Sequence, residues 1–412
     1  MSLVRDLWSR TFLQPTNRLY LMKKAYRLYD ALVVFLGQSQ QWADVRHLYV
    51  LAWMVVGLIS EGSVNLTRWI MSVQSRARLA QSTQRRFQRW LYNPRINVQR
   101  LYSPLIQGVL AQWQEAVLYL SLDTTTLWNQ YCIIRVSVVH RGRAVPVGWR
   151  VIKHNSSSVA FHHYRDLLRR ISRLMPEGVK VVLLADRGFV DTQLMNYVRQ
   201  QLTWHYRIRV KSNFWLWQPR KGWTQVSNFH LGWGEALLLQ NLRVCKTDPM
   251  TGACLALGRE CTKGERWYIL STEAVTLQTF REYGMRFDIE ENFLDDKSNG
   301  FELERSMIRC APALSRLCLV LAIATVYLTL QGTAVVAQGK RRWVDPHWER
   351  GNSYLRIGWN WVKTALARGW PLFKTFCLTG NCDPSPAIAS RKQHQQRLYT
   401  LEFQVRSFDY AC

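Results

Sequence analysis

The chain has 412 residues, 48% of them hydrophobic, and carries 55 Lys and Arg against 28 Asp and Glu, for a formal charge of +27. That length allows two or three domains with a large core, and basic residues spread along the whole chain point to nucleic acid rather than a membrane surface as partner. A membrane span and a secretory leader are not expected, because the apolar run Leu317 to Leu330 is bounded by Arg316 and Gln331 and is shorter than the ~20 residues a span needs, and Met1 to Phe12 has no apolar core; the expected location is cytoplasmic.

Residues 1–115 read as a helical DNA-binding region. In "RARLAQSTQRRFQRWLYNP", Arg85, Arg86 and Arg89 surround Phe87 and Trp90. Ser82 or Thr83 is placed to cap this helix and Asn93-Pro94 to stop it. An arginine face with an aromatic back suits DNA contact; the same packing also serves a solvated basic helix.

From 116 to 210 the pattern is that of an α/β core. "AVLYLSLDTTTLW" alternates as a strand and stops at Asp123, and "YCIIRVSVVHRGRAVPVGWRVI" reads as two strands turning at Arg141-Gly142-Arg143. After the helical "FHHYRDLLRRISRLM" comes "VKVVLLADRGF", an apolar strand ending at Asp186 and expected to be buried on both faces of a sheet. The helix "DTQLMNYVRQQL" leads into the strand "HYRIRV".

Residues 211–275, with Trp215, Trp217, Trp223 and Trp233, read as a β-rich insertion closed by the strand "ERWYILST", which holds Trp267. Residues 276–332 return to the core, first with "YGMRFDIEENFLDDK" and then with an apolar core helix. Residues 333–412 form a basic, tryptophan-rich C-terminal region beginning "GKRRW", a candidate dimer or synapsis contact. The nine cysteines match no common zinc spacing and are expected to be reduced thiols.

At about 100° per residue, Tyr283, Arg286, Glu290, Phe293 and Lys297 form one helical stripe. Glu290 then lies between two cations. That is either a surface helix with ion pairs or a metal-binding carboxylate flanked by phosphate-binding cations. Asp123 and Asp186 stand at the C-terminal ends of expected strands, where open α/β sheets place ligands. Taken singly, Asp123 in "DTTT" reads as a turn or cap residue and Asp186 in "DRGF" as the start of a turn. Taken with Glu290 on so basic a chain, the three carboxylates suit a pair of Mg²⁺ or Mn²⁺ ions. Such ions activate a water or a 3′-hydroxyl and stabilise the leaving oxygen of a phosphodiester. Strand-Asp, strand-Asp, helix-Glu fits a ribonuclease-H-like sheet.

The spacing Tyr, two residues, Arg, three residues, Glu, six residues, Lys is met without a gap by Tyr283, Arg286, Glu290 and Lys297. With Asp123 in "LSLDTTT" and Asp186 in "LLADRGF", it resembles the IS4 family of DDE transposases over roughly residues 80 to 332. Phe287 departs from the Trp that many members carry there. The resemblance implies that Asp123, Asp186 and Glu290 hold the metals and that Arg286 and Lys297 grip phosphates. It further implies that Tyr283 contacts the terminal DNA backbone and that Trp267 stacks on a flipped base; Trp267 also fits a core position of its strand. The implied partners are double-stranded DNA, as terminal inverted repeats and target, and a second copy of the chain in a synaptic homodimer. The implied reaction is cut-and-paste transposition, through a hairpin. Two rivals remain: a metal-dependent nuclease of the same fold without strand transfer, and a non-catalytic DNA-binding protein derived from a transposase.

Overall fold

The computed structural model describes residues 15–38, 42, 44–75, 77–113, 115–261, 263–379, 383–387 and 404–409. The segment read above for a signal core, and much of the C-terminal basic region, lie outside the described residues. The first elements are helices: α1 (Pro15–Gly37), α2 (Val45–Glu61), the short α3 (Leu66–Trp69), α4 (Ala80–Tyr92) and α5 (Val98–Leu110). α4 stops at Asn93 as expected, but it begins earlier than its polar residues suggest. Leu79 occupies the N-cap without a side-chain bond, and Thr83 is buried within the helix. The far end of α4 is closed from a distance, by the buried Arg316 guanidinium, which donates to the carbonyls of Leu91 (2.9 Å) and Ile96 (3.1 Å). A cation there satisfies carbonyls that a helix end leaves without partners.

A single sheet follows. β1 (Val117–Leu127), β2 (Tyr131–His140) and β3 (Arg143–Lys153) form an antiparallel meander. α6 (Arg165–Ser172), β4 (Lys180–Ala185), α7 (Thr192–Asn196) and β5 (His205–Arg209) complete the first part of an α/β unit. The order is β3-β2-β1-β4-β5, with β4 parallel to both β1 and β5. The tryptophan-rich stretch supplies β6 (Trp215–Gln218), β7 (Gly222–Gln225), β8 (Glu235–Val244), β9 (Met250–Arg259) and β10 (Arg266–Ser271). These do not make a sheet of their own. β10 pairs antiparallel with β5 and carries the same sheet on through β9, β8, β6 and β7.

The two faces of β1 have different roles. Leu118, Leu120 and Leu122 join the main apolar core. Tyr119, Ser121 and Asp123 point the other way, as the period-two pleat requires, toward α8 (Leu277–Gly284) and α9 (Phe287–Leu294). The main core is filled by α10 (Ala311–Ala337), which is longer than the apolar run that marks it in the sequence. By length and composition α10 is able to cross a membrane, yet it is buried almost throughout inside the protein. It crosses α11 (Tyr354–Arg368) backbone to backbone. A Cβ on Gly332 would lie 1.9 Å from the Tyr354 carbonyl oxygen, and one on Gly358 would lie 1.8 Å from that of Leu328. Gly358→Ala must therefore push the helices apart. A cost of about 3 kcal/mol is expected, read as a lower urea midpoint. An unchanged midpoint would contradict this close crossing.

Candidate active site

Strand register brings the two aspartates together. Leu122 on β1 pairs with Ala185 on the parallel β4. The next residues along, Asp123 and Asp186, therefore lie side by side at roughly the 4.8 Å spacing of neighbouring strands. Asp186 ends β4 and caps the turn that follows, accepting from the Gly188 amide at 2.8 Å. Asp123 accepts from the Thr124 amide at 2.7 Å and meets the Arg286 guanidinium at 3.3 Å. The Thr124 hydroxyl, in turn, donates to the Ser157 carbonyl at 2.7 Å.

Burial raises the Asp123 carboxyl to about 6, and the neighbouring charges of Asp186 and Glu290 push in the same direction; the Thr124 amide and Arg286 oppose them. A folded-state value above the ordinary 3.8 means that folding disfavours the ionised form. That cost is present above about pH 6 and vanishes below about pH 4. With a chelator present, Asp123→Asn should therefore be about 2 kcal/mol more stable than wild type at pH 7.5 and no more stable at pH 4. Urea midpoints at the two pH values check this; equal stability at pH 7.5 would contradict it.

The signature segment is not one straight helix. α8 and α9 are separated by a tight turn at Met285 and Arg286, in which the Arg286 amide donates to Tyr283 and the Ile289 amide to Arg286. Beyond Leu294 the chain widens into a π-helical turn over Asp295–Asn299. The expected stripe is thereby divided. Arg286 and Glu290 stay together, with the buried Arg286 guanidinium bridging the Glu290 and Asp123 carboxylates. The Arg286 carbonyl also accepts from Ser121 on β1. Lys297 instead donates to the Thr126 carbonyl at 2.8 Å, near the end of β1, and partial burial lowers its pKa. Phe293 is buried against Ala144 and Ile289.

One aromatic assignment needs correction. Tyr283 is fully buried, packed edge-on against Trp267 (5.9 Å between ring centres), so in this conformation its ring cannot touch a DNA backbone. Trp267 is half-buried between Tyr283 and Phe287, with the Arg209 guanidinium 5.7 Å from its ring. It forms part of a packed wall, the core position that its strand pattern also allows. On α4, Arg85 and Arg89 are exposed, as a DNA-facing surface requires, but Arg86 is not. Arg86 turns inward to the Gln74 carbonyl (3.4 Å) and lies 5.2 Å from the Phe87 ring centre, and burial lowers its pKa.

One group escaped the sequence reading. Arg135 on β2 is the cross-strand partner of Asp123. Its guanidinium meets Asp296 at 2.6 Å, with both side chains 2% exposed, and donates to Asn292 at 2.8 Å. Arg143 at the start of β3 takes Glu291 (3.4 Å) and Asp295 (3.6 Å). Four of the five acids of "DIEENFLDDK" are thus distributed over three arginines, of which Arg135 and Arg143 tie α9 and the π turn to the sheet. The signal was present in the sequence, as one arginine inside the otherwise apolar "IIRVSVV".

Among the described residues, no three His, Cys, Asp or Glu side chains stand close enough to hold a metal ion as they are placed. The donor set nevertheless fits one. Asp123, Asp186 and Glu290 offer hard carboxylate oxygens, and burial holds the Asp123 carboxyl above its ordinary value, a cost that a bound cation would offset. Arg286 now supplies the positive charge between Asp123 and Glu290, so a divalent ion held by all three acids requires Glu290 to leave Arg286. Among the described residues, the seven cysteines form no disulfide with one another.

No protein-family model and no curated protein matches the chain. Among solved structures it is similar to a piggyBac transposase, described as a synaptic complex with hairpin DNA. The identity is 10% and the TM-score 0.43, over 86% of this chain and 80% of that one. Likeness at that level is no basis for assigning a fold or a function, which rest instead on the residues and their geometry.

Proposed function

We propose that this chain is a DNA transposase of the IS4 type with a ribonuclease-H-like core. The observation that carries the proposal is the pair Asp123, within β1, and Asp186, just past the end of the parallel β4, with Glu290 linked to Asp123 through Arg286. The order β3-β2-β1-β4-β5, with β2 antiparallel to its neighbours, supports the ribonuclease-H-like reading. The charge of +27 and the exposed Arg85 and Arg89 support DNA as the partner.

Asp123, Asp186 and Glu290 would hold two Mg²⁺ or Mn²⁺ ions. When bound, such ions activate the attacking water or 3′-hydroxyl and stabilise the leaving oxygen. The chain's own part is positioning. Ser121 and Asp123 hold the Arg286 turn against β1, so the guanidinium is placed to pass from Glu290 to a phosphate beside the scissile bond. Lys297, anchored on Thr126, puts a second cation at the same strand end. Fixed cations at a developing phosphoryl charge are effective because they need little reorganisation. Terminal inverted repeats and a target duplex are the substrates, and two chains pair the two ends.

The test is a strand-transfer assay. The purified chain meets a labelled duplex ending in the inverted repeat that flanks its gene, plus a second duplex, with Mg²⁺ or Mn²⁺ in moderate salt. A nick at the repeat boundary followed by joining to the second duplex is expected. Cleavage without a joined product would favour a nuclease of the same fold. Binding without cleavage under either metal would overturn the catalytic proposal.

A further inference from the structure

Between α10 and α11 the chain makes a knuckle, Lys340 to Asn352, organised around one carboxylate. Asp345 is fully buried. It accepts from the Gly351 amide (3.2 Å), the Asn352 side chain (3.0 Å) and His347 Nδ1 (2.5 Å), and it pairs with Arg341 at 3.3 Å. From inside the loop, Arg341 donates to three successive carbonyls, those of His347, Trp348 and Glu349. The knuckle is therefore preorganised, and its internal charges are used up in holding its shape.

What it presents outward is unusual for a stable surface. Trp348 is 81% exposed, with the Arg342 guanidinium 4.2 Å from its ring centre. Trp343, 56% exposed, packs tilted against Trp361 and Trp370, and Lys340 lies over the Trp343 and Trp361 rings. From Lys340 to Lys374 there are eight Lys and Arg but only two acids, Asp345 and Glu349, and the first of these is buried. An exposed indole edged by a guanidinium, on a loop whose backbone Arg341 and Asp345 hold in place, combines a stacking platform with phosphate-binding charge. An acidic protein partner would use the charges but would leave the solvent-facing indole without a role.

The Lys340–Trp348 part of the knuckle lies away from Asp123, whereas its far end, Gly351 and Asn352, lines a cleft with Arg143, Glu291 and Asp295. Trp149, the partner of Arg135 and so at the level of Asp123, bonds to Ser315 near the start of α10. His140, at the far end of β2, approaches Thr333 near the end of α10. Those eighteen residues of helix span about 27 Å, and the knuckle begins just beyond them. We infer that the Lys340–Trp348 knuckle is a second DNA-contacting surface. Lys340 and Arg342 take backbone phosphates there, and Trp348 stacks on a base exposed at an unpaired or kinked step.

The inference rests on the DNA-binding reading above, and binding measurements separate the two. The full chain, a Lys340→Gln/Arg342→Gln double variant and Trp348→Ala are titrated with a fluorescent mixed-sequence duplex, matched or carrying a two-nucleotide bulge, over a range of salt. Trp348 is so exposed that Trp348→Ala should leave thermal stability unchanged. The double variant should bind both duplexes several-fold more weakly, with a salt slope shallower by about one to two. Trp348→Ala should lose about tenfold on the bulged duplex alone. If wild type binds DNA and both variants match it in affinity and slope, the knuckle is not a DNA surface. If DNA affinity is unchanged but sedimentation shows loss of self-association, the knuckle is a contact between copies of the chain, and the inference also fails. If wild type binds neither duplex, the DNA reading itself falls.

Discussion

Glu290→Gln is expected to bind terminal DNA as wild type does and to cut it at least about a thousand-fold more slowly. The glutamine keeps the size of the side chain and can still face Arg286, but it removes the charge that would help hold a divalent ion. A metal that both activates the nucleophile and stabilises the leaving oxygen supplies several kcal/mol, and about 4 kcal/mol corresponds to three powers of ten in rate. The side chain of Glu290 is 49% exposed, so its loss should not unfold the protein. Asp123→Asn and Asp186→Asn should show the same separation of binding from cutting. Single-turnover cleavage rates beside gel-shift affinities decide the matter. A loss smaller than tenfold, with either metal, would remove Glu290 from the metal-binding set.

Arg135→Met should be the most destabilising of the single changes considered, at about 3 to 5 kcal/mol, because it leaves Asp296 buried without its partner. Adding Asp296→Leu should restore much of that stability, since a buried ion pair replaced by apolar groups of similar volume is often neutral. Urea midpoints of the two single variants and the double variant form a closed cycle. If Arg135→Met alone costs under about 1 kcal/mol, the pair does not anchor the helix. Activity should not return with stability. Arg135 joins β2, the strand paired with that of Asp123, to the turn that follows Glu290, and the apolar replacement holds the elements together without fixing Asn292.

Much of this arrangement could be read along the chain. Asp123 does not end its alternating strand: β1 runs on to Leu127, paired with β2, and only its pairing with β4 stops at Leu122. Asp186 follows a continuous apolar strand and does stand at its end, where the local pattern places it. The aromatic back of α4 and the buried helix α10 were legible for the same reason: their patterns are local and repeat every few residues. The glutamate was placed on a helix beside Arg286, and there it is.

Other features depended on partners far away in sequence. Whether the tryptophan-rich stretch forms its own sheet is decided by β10 pairing with β5, a contact between strands some sixty residues apart. The stripe from Tyr283 to Lys297 assumed a straight helix turning 100° per residue. The chain breaks that period at Met285 and widens it at Asp295, where Asn292 and Asp296 meet an arginine on another strand. The same nonlocal packing buries Tyr283 behind Trp267, where the family resemblance implied a DNA contact, and turns Arg86 inward, where its residue type suggested a surface role. Residue type and local periodicity were enough to put Asp123 and Asp186 on apolar strands and Glu290 on a helix, because charge and pattern are written locally. Which side chains face one another was not legible there, because it depends on strand register and on buried ion pairs closed across long loops.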